Sequence, residues 1–385
     1  MDPVPPIPDT LPTHPALAQG TSLLMVAMWL WGCGGCGDPK TPTTSAPPAP
    51  PPPGPLAEVV ERIPLEGICE PSGAAQDATG TIWIVDDDQD ETLFSWTPGA
   101  GRPKGQNTAL EGGRAAVNDQ EGLALQHDTL WLLGSHSRNR KGKLKRRARL
   151  VSLEPRQDTR PTASLSLWPD ADQPLPAPLV TAVRTRCASC TERGSWADLN
   201  IEGLTWSAHD RRVWLGLRAP LTHTGHAYAV ALAAPEQSSD RVHAVTTLPL
   251  GDRGIRAMSP AHTGSSTWLV AGPPGDADPD KRGFAVFDWT PGQPPRLLAR
   301  LPAFQGSPEA IVATGPHEAL VFVDEGDRLK ARALSASDAP HRDTSKPREP
   351  RFRCRAGTAP PASDDWAHAV RVRWPAPVSP PASIQ

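Results

Sequence analysis

The sequence predicts an all-β chain folded as a β-propeller of five or six four-stranded blades. A four-residue motif, seen for example at Glu121–Ala124, occurs five times with variations. Its second residue is Gly73, Gly122, Gly203, Gly254 or Ala310. The copies lie 49, 81, 51 and 56 residues apart, and three of these intervals match the length of one blade. An apolar strand follows each copy, as expected for a ring of meandering antiparallel sheets.

The predicted strands are short and are separated by turn residues. The third unit shows a whole blade, with strands at residues 201–206, 212–217, 227–232 and 242–248. The 81-residue interval contains a proline-rich stretch, so we predict an insertion at residues 169–197. No stretch has the periodicity of a long amphipathic helix.

Strands at both ends of the folded part are needed to close a ring without a free sheet edge. Residues 58–65 and 350–374 both contain strand-like sequence, and they complete the last blade together or form a sixth. We therefore predict one propeller domain at residues 56–374 and a disordered tail at residues 375–385.

The N-terminal residues are expected to export and tether the protein. Residues 23–31 form an apolar run that is too short to span a bilayer and ends just before Gly32 and Cys33. Residues 1–33 resemble a bacterial lipoprotein signal, which implies cleavage before Cys33 and a lipid on its sulfur. Simple secretion and a buried apolar segment are the alternatives. Residues 34–55 are rich in proline and are predicted to be a semi-rigid linker.

The cysteines fit an oxidising cell envelope, either the outer membrane or the periplasmic side. Two of the six, Cys33 and Cys36, lie at the end of the signal region and just after it. For the others we expect a local bridge between Cys187 and Cys190 and a ring-closing bridge between Cys69 and Cys354. A zinc site and a redox-active motif are the alternatives for Cys187 and Cys190, although no second ligand pair and no βαβ pattern accompany them.

The functional face is predicted at the mouth of the central channel. The first strand of each blade lines that channel in propellers, and Glu121, Glu202 and Glu309 begin first strands. The polar loops between second and third strands gather beside them. The candidate ligand- or metal-binding residues are Asp86, Asp87, Glu121, His136, Glu202, Arg218, Arg256 and Glu309.

These residue types suit a divalent cation, because carboxylates supply the hard oxygen ligands that calcium and magnesium prefer. With a metal and nearby arginines, a phosphate ester can be bound and hydrolysed. The structural alternatives are that the glutamates brace neighbouring blades, that Asp86–Asp88 is a solvated turn and that His136 is an ordinary loop residue. The basic residues at 141–149 are a solvated loop or a contact for lipid headgroups or an anionic polymer.

Several function classes are disfavoured. The net charge of −3 gives no global bias toward nucleic acid or an anionic membrane. The sequence lacks a Gly-x-Ser-x-Gly elbow, a His-Glu-x-x-His pair, an EF-hand loop and a phosphate-binding glycine loop. We therefore assign no catalytic residues, and whether the protein is an enzyme stays open.

Seven motifs together resemble a bacterial family of unknown function, DUF family 3616, over residues 66–330. They are Glu70–Gly73, Trp83–Asp87, Glu121–Leu123, Gly134–Ser137, Asn200–Leu204, Gly216–Leu221 and Arg253–Arg256. The resemblance implies an exported, propeller-like protein without an assigned activity. More distantly, the repeated Glu-Gly-Leu is similar to the propellers of esterase-like phytases, which implies a metal-assisted phosphatase. Ser72 and Arg253 stand where that pattern has glutamate.

The sequence thus predicts an exported, lipid-anchored, monomeric β-propeller that binds a small molecule, a glycan or a protein at its channel mouth. We expect no nucleic-acid partner, and membrane contact only through the lipid. The alternatives are a metal-dependent hydrolase of phosphate or carboxylic esters and a purely structural envelope protein.

Overall fold

A computed structural model of the chain describes the folded part and not the N-terminal region. The described residues are 54–110, 114–115, 117–139, 141–154, 158–166, 177–186, 192–193, 195–232, 242–275, 283–326, 329 and 366–376. They belong to one compact unit, Pro52–Gln385. The predicted signal region, the lipidation site at Cys33, nearly all of the linker and most of the tail lie outside the described residues.

The described residues form 24 strands, one α-helix and two short 3₁₀ turns. The strands are β1 (Glu58–Pro64), β2 (Pro71–Gln76), β3 (Ile82–Asp86), β4 (Thr92–Trp96), β5 (Lys104–Asn107), β6 (Ala109–Leu110), β7 (Arg114–Ala115), β8 (Gln120–Gln126), β9 (Thr129–Gly134), β10 (Arg149–Glu154), β11 (Asp158–Ser166), β12 (Glu192–Arg193), β13 (Asn200–Ser207), β14 (Arg212–Ala219), β15 (Leu221–Thr222), β16 (Ala227–Leu232), β17 (Val242–Leu248), β18 (Gly254–Pro260), β19 (Thr267–Gly272), β20 (Ala285–Trp289), β21 (Arg296–Arg300), β22 (Ser307–Gly315), β23 (Glu318–Asp324) and β24 (His368–Arg373). The helix α1 is Ala177–Arg186, and the 3₁₀ turns are Lys145–Arg147 and Trp196–Asp198.

Twenty of these strands form five antiparallel blades. From the inner to the outer strand, blade 1 is β2-β3-β4-β5, blade 2 is β8-β9-β10-β11, blade 3 is β13-β14-β16-β17, blade 4 is β18-β19-β20-β21 and blade 5 is β22-β23-β24-β1. The inner strands contact one another in this order, and β22 returns to β2. The described chain is therefore a five-bladed β-propeller, which confirms the predicted fold class and decides between five blades and six.

Both chain ends close the ring in blade 5. Strand β1 pairs with β24 from Glu58 opposite Arg373 to Pro64 opposite His368, and β24 also pairs with β23. The N-terminal strand is thus the outermost strand of the last blade. This arrangement covers the edges that an open ring would leave unpaired.

The repeated small residues let neighbouring inner strands approach closely. A Cβ atom on Gly122 of blade 2 would lie 2.7 Å from the Cβ of Leu204 in blade 3. A Cβ on Gly203 of blade 3 would lie 2.8 Å from Ile255 of blade 4. Tryptophans fill the wider space farther out, where Trp214 and Trp289 meet edge to face with ring centroids 4.9 Å apart.

Helix α1 was not expected from the sequence and lies inside the predicted insertion. Its apolar residues Leu179 and Val183 are buried in the same hydrophobic cluster as Val230 and Val242 of blade 3. The helix is only 10 residues long and has no strong apolar stripe, so its periodicity could not reveal it. Within the described residues, no helix has the length and apolar character needed to span a membrane.

Candidate functional site

One residue without a β-sheet partner lies near the start of each of the five inner strands. The pairing register between the first two strands of each blade shifts by one residue at the same place, which is a β-bulge. The bulged residues are Ser72, Glu121, Glu202, Arg256 and Glu309 in blades 1 to 5. A bulge re-aims a side chain, and here it turns one residue per blade toward its neighbours around the mouth.

The bulge corrects the sequence alignment of the fourth unit. The sequence predicts that Arg253 and Gly254 are the first two residues of the repeated motif in this unit. The pairing register between β18 and β19, however, shifts between Ile255 and Ala257. Arg256 therefore holds the position that glutamate holds in three other blades, and Ala257 is the small residue that follows it. Gly254 begins the strand instead, where a Cβ atom would lie 2.0 Å from a backbone oxygen of blade 3.

A second ring of residues follows the inner ring at the end of each second strand. In each blade, one residue of the second strand pairs with the residue before the bulge, and the next residue along the chain belongs to this second ring. These residues are Asp87, Ser135, Arg218, Gly272 and Asp324 in blades 1 to 5. Two positions per blade therefore contribute to the charge of each sector of the mouth.

Blades 3 to 5 form a neutralised sector. Nη1 of Arg218 donates to Oε1 of Glu202 at 2.8 Å. Arg256 reaches the same carboxylate, with Nε 3.1 Å from Oε2, and donates from Nη2 to Oε1 of Glu309. Arg256 is only 3% exposed, so these are buried ion pairs that join three blades. These contacts make Glu202, Arg256 and Glu309 braces between neighbouring blades, while Arg218 supports Glu202 within blade 3.

Glu309 is the less strongly paired carboxylate of this sector. Burial raises the pKa of Glu309 to about 8, and the charge of Glu202 adds to the effect while Arg256 opposes it. The group is therefore poised to exchange a proton near neutral pH.

Blades 1 and 2 form an acidic sector. Asp87, Asp119 and Glu121 each place a carboxylate oxygen within 4.8 Å of those of the other two. Burial raises the pKa of Glu121 well above its usual value, and the charges of Glu202 and Asp87 raise it further. The pKa of Asp87 is raised in the same way by burial and by Asp119 and Glu70.

Glu121 differs from the braced glutamates in having no donor. It is 9% exposed, and no described residue donates a hydrogen bond to its carboxylate or forms an ion pair with it. A nine-tenths buried carboxylate is strongly disfavoured without a partner. The described residues thus place Glu121, an acid without a donor among them, against two other acids at the channel mouth.

Asp119 is held in a fixed orientation by blade 2. Its Oδ2 accepts hydrogen bonds from the hydroxyl groups of Ser135 and Ser137 and from Nη1 of Arg147. All three donors bind the same oxygen, so Oδ1 is left for the cluster with Asp87 and Glu121. Sequence reasoning missed Asp119, although it follows Asn118 in a turn and takes a positive φ of 56°.

The mouth carries an excess of negative charge when all of its groups are ionised. Its carboxylates are those of Asp87, Asp119, Glu121, Glu202, Glu309 and Asp324, and its guanidinium groups are those of Arg147, Arg218 and Arg256. The difference between six and three is three negative charges, and a divalent cation would reduce this excess.

Two predicted site residues have other roles in the structure. Asp86 is fully buried, and its carboxylate accepts hydrogen bonds from the backbone N–H groups of Cys69 at 2.9 Å and Asp88 at 2.9 Å. It therefore fixes the chain around it and is not a solvated turn residue. His136 is also buried, with Nδ1 2.7 Å from the carbonyl oxygen of Gly134. Burial lowers the pKa of His136 to about 4, so its ring is neutral at physiological pH.

The sequence profile of one family, described as protein of unknown function (DUF3616), matches residues 109–162. The match covers most of blade 2, with Asp119 and Glu121, and it agrees with part of the predicted resemblance. The similarity to esterase-like phytases stays a prediction. No curated protein gives a significant sequence match.

Solved structures similar to this chain include several enzymes and a calcium-binding protein. A glutaminyl cyclase from Myxococcus xanthus is 10% identical, with a TM-score of 0.40, over 69% of this chain and 90% of its own. An exo-beta-1,3-galactanase from Phanerochaete chrysosporium is 9% identical, with a TM-score of 0.41, over 68% of this chain and 57% of its own. The calcium-binding protein regucalcin from Agrobacterium tumefaciens is 10% identical, with a TM-score of 0.37, over 83% and 97%. We draw nothing about the ligand of this chain from these similarities.

Proposed function

We propose that this protein is an exported, lipid-anchored β-propeller that binds a divalent cation, and through it a ligand, at its channel mouth. The observation that carries the proposal is Glu121, a nine-tenths buried carboxylate without a donor, whose oxygen lies within 4.8 Å of those of Asp87 and Asp119. Calcium or magnesium would supply the charge that no described side chain supplies.

The three carboxylates leave room for further ligands on the cation. Calcium takes about six to eight oxygen ligands and magnesium about six, so three monodentate carboxylates fill half or less of either shell. The remaining positions could be taken by water or by oxygens of a small molecule, a glycan or a protein. A bound cation would thereby present a ligand-binding centre on an otherwise acidic surface.

Export is supported by the chemistry of Cys69, which is disulfide-bonded in the structure. Structural disulfides belong to oxidising compartments such as the periplasm or the cell surface. The lipid anchor rests on the sequence before Cys33 alone. Mass spectrometry of the mature protein tests it, because cleavage before Cys33 with a lipid on its sulfur gives a defined N-terminal fragment.

Isothermal titration calorimetry of the full chain with calcium and with magnesium tests the cation site. We expect one cation per chain for wild type and at least a tenfold weaker affinity for Glu121→Gln. Glu91→Gln is the matched control, because Glu91 is exposed and lies in the turn before β4. Equal cation binding by wild type and Glu121→Gln, or no binding by wild type, would contradict the proposal.

Thermal melting gives a second readout of the same site. Binding to the native state alone stabilises a protein by about 2.7 kcal/mol when the free ligand is at 100 times its Kd. We expect calcium to raise the melting temperature of wild type and of Glu91→Gln, but not that of Glu121→Gln.

A metal-dependent hydrolase of phosphate or carboxylic esters is the second candidate function. The observation that favours it is Glu309, whose pKa of about 8 lets the carboxyl act as a general acid near neutral pH. Turnover of p-nitrophenyl phosphate or p-nitrophenyl acetate in calcium, lost in Glu309→Gln and Glu121→Gln, would support this function. If neither ester is turned over, this second function is contradicted and cation and ligand binding is the only proposed function left.

A further inference from the structure

A strongly basic loop begins and ends at the acidic sector of the channel mouth. This basic loop, residues 137–149, contains eight lysines and arginines among 13 residues and no acidic residue. The sequence alone left it as a solvated loop or an anion contact. Its conformation and its attachment distinguish these alternatives.

The described residues at the tip of the basic loop, Asn139 and residues 141–143, are joined by hydrogen bonds. The N–H of Gly142 donates to the carbonyl of Asn139 at 2.7 Å, and the N–H of Asn139 donates to the carbonyl of Lys143 at 3.0 Å. The Asn139 side chain also accepts from the N–H groups of Lys141 at 2.9 Å and Lys143 at 3.0 Å. Lys141 and Lys143 are exposed on this turn. Two ammonium groups are therefore presented on an ordered backbone rather than on a solvated coil.

Both ends of the basic loop contact the same carboxylate. Ser137 and Arg147 each donate to Oδ2 of Asp119, which belongs to the proposed cation site. Lys141 is four residues from Ser137, and Lys143 is four residues from Arg147. The tip therefore lies within about 15 Å of Ser137 and Arg147, the two residues that contact Asp119, since a chain extends at most about 3.6 Å per residue.

We propose that the basic loop binds the sulfate or phosphate groups of a soluble polyanionic ligand, and that a cation at Asp87, Asp119 and Glu121 strengthens this binding. The loop supplies the positive charges and their spacing. The second part rests on the proposed function. Without a cation, the acidic sector repels any anion that approaches the loop. A divalent cation removes that repulsion, and by linkage the anion strengthens cation binding by the same factor.

A soluble ligand fits this surface better than a membrane does. Leu144 and Ala148, the apolar residues of the basic loop, are buried and cannot insert into a bilayer. An anionic bilayer on the loop would also lie over the acidic sector and be repelled by it. A flexible polyanion can reach the exposed lysines without covering the mouth.

Fluorescence anisotropy of a labelled dextran sulfate oligomer with the full chain tests the proposal. The test variant is Lys141→Glu with Lys143→Glu. The matched control is Arg102→Glu with Lys104→Glu, which reverses two exposed charges on blade 1. At low ionic strength we expect the loop variant to bind at least tenfold more weakly than wild type, and the control to stay within about twofold. Equal affinities of the loop variant and the control would overturn the proposal.

Calcium supplies the second arm of the experiment. We expect calcium to tighten oligomer binding at least threefold in wild type and to leave Glu121→Gln unchanged, which also controls for calcium bound to the oligomer itself. A wild-type protein that binds calcium by calorimetry without tighter oligomer binding would overturn the coupling. Absence of calcium binding would overturn the proposed cation site and the coupling. The comparison of the loop variant with the control variant would still test whether the basic loop binds the oligomer.

Phosphatidylglycerol vesicles distinguish a lipid surface from a soluble polyanion. We expect the loop variant and wild type to bind such vesicles equally, since only the N-terminal region would contact the bilayer. Vesicle binding that falls in the loop variant as much as oligomer binding does would overturn the soluble ligand in favour of a membrane.

Discussion

Arg218 in blade 3 and Ser135 in blade 2 occupy the same position relative to the bulge. The presence of an arginine in one blade and a serine in the other determines how the bulged glutamate of each blade is paired. Arg218 donates to the bulged glutamate of its own blade, Glu202, at 2.8 Å. Ser135 carries no positive charge and donates to Asp119 instead. The same Glu-Gly-Leu motif therefore gives a braced glutamate in blade 3 and, among the described residues, a glutamate without a donor in blade 2.

The first prediction concerns Arg256, the buried arginine that joins Glu202 and Glu309. Replacing one partner of a buried ion pair leaves the other charge uncompensated and costs about 3–5 kcal/mol. We expect Arg256→Met to lower the free energy of unfolding by an amount in this range, measured by urea denaturation. The control is Arg296→Met in the same blade, because Arg296 forms an exposed ion pair with Asp288 and should contribute less than about 1 kcal/mol. Equal losses in the two variants would refute the brace.

The second prediction concerns the contact between blades 2 and 3. A methyl group on Gly122 would lie 2.7 Å from the Cβ of Leu204, which is closer than packed atoms allow. Overpacking of this kind costs about 1–3 kcal/mol, so Gly122→Ala should lower the urea midpoint. Gly275→Ala has open space around the new methyl group and serves as the control. A Gly122→Ala protein as stable as the control would show that the blades can separate without loss.

Much of the fold could be predicted because it depends on local pattern. The repeated small residue at the start of each inner strand is required by the close approach of the blades, so it recurs at the blade period. Glu121, Glu202 and Glu309 share one bulge position because they precede this small residue. Strands at both chain ends follow from the need to close the ring.

The parts that could not be predicted depend on contacts between distant loops. Asp119 joins Asp87 only because blades 1 and 2 are neighbours, and no spacing in the sequence encodes that contact. The sequence predicts Arg256 as a site residue but does not predict its bulge position. Gly254 is a small residue like the second residue of the motif, so the sequence aligns Gly254 there instead of Ala257. Which glutamate is paired depends on a single residue on another strand, such as Arg218.

The third prediction concerns the disulfide of Cys69. Cys69 is buried with Leu329 and Trp366 and is disulfide-bonded, and the other cysteines lie outside the described residues. The pairing with Cys354 therefore stays a prediction, as does the bridge between Cys187 and Cys190. We expect peptide mapping without reduction to recover Cys69 linked to Cys354.

The energetic consequence of that bridge gives an independent check. Loss of a native disulfide typically costs about 2–5 kcal/mol. If Cys69 and Cys354 are partners, Cys69→Ala, Cys354→Ala and the double variant should be destabilised equally. A silent Cys354→Ala would exclude this pair and direct attention to Cys187 and Cys190.

The last prediction concerns the pH dependence of stability in the absence of metal. Burial raises the pKa of Glu309 from 4.5 to about 8, so between these values the folded chain binds a proton that the unfolded chain has lost. Stability from this group is fully present below pH 4.5 and is lost as the pH rises through 8. Its slope is at most about 1.4 kcal/mol per pH unit. Asp87 and Glu121 act with the same sign, because their pKa values are also raised.

His136 acts with the opposite sign in acid, which determines where the measurement is made. Its pKa falls from 6.5 to about 4 on folding, so protonation of the unfolded chain lowers stability as the pH falls below 6.5. Urea unfolding in EDTA between pH 7 and 8 therefore isolates the carboxyl groups. We expect the stability of wild type to fall across this interval and that of Glu309→Gln to fall less steeply, because the amide keeps the shape and does not titrate. Identical slopes in the two proteins would mean that Glu309 is already ionised at pH 7 and that Arg256 outweighs its burial.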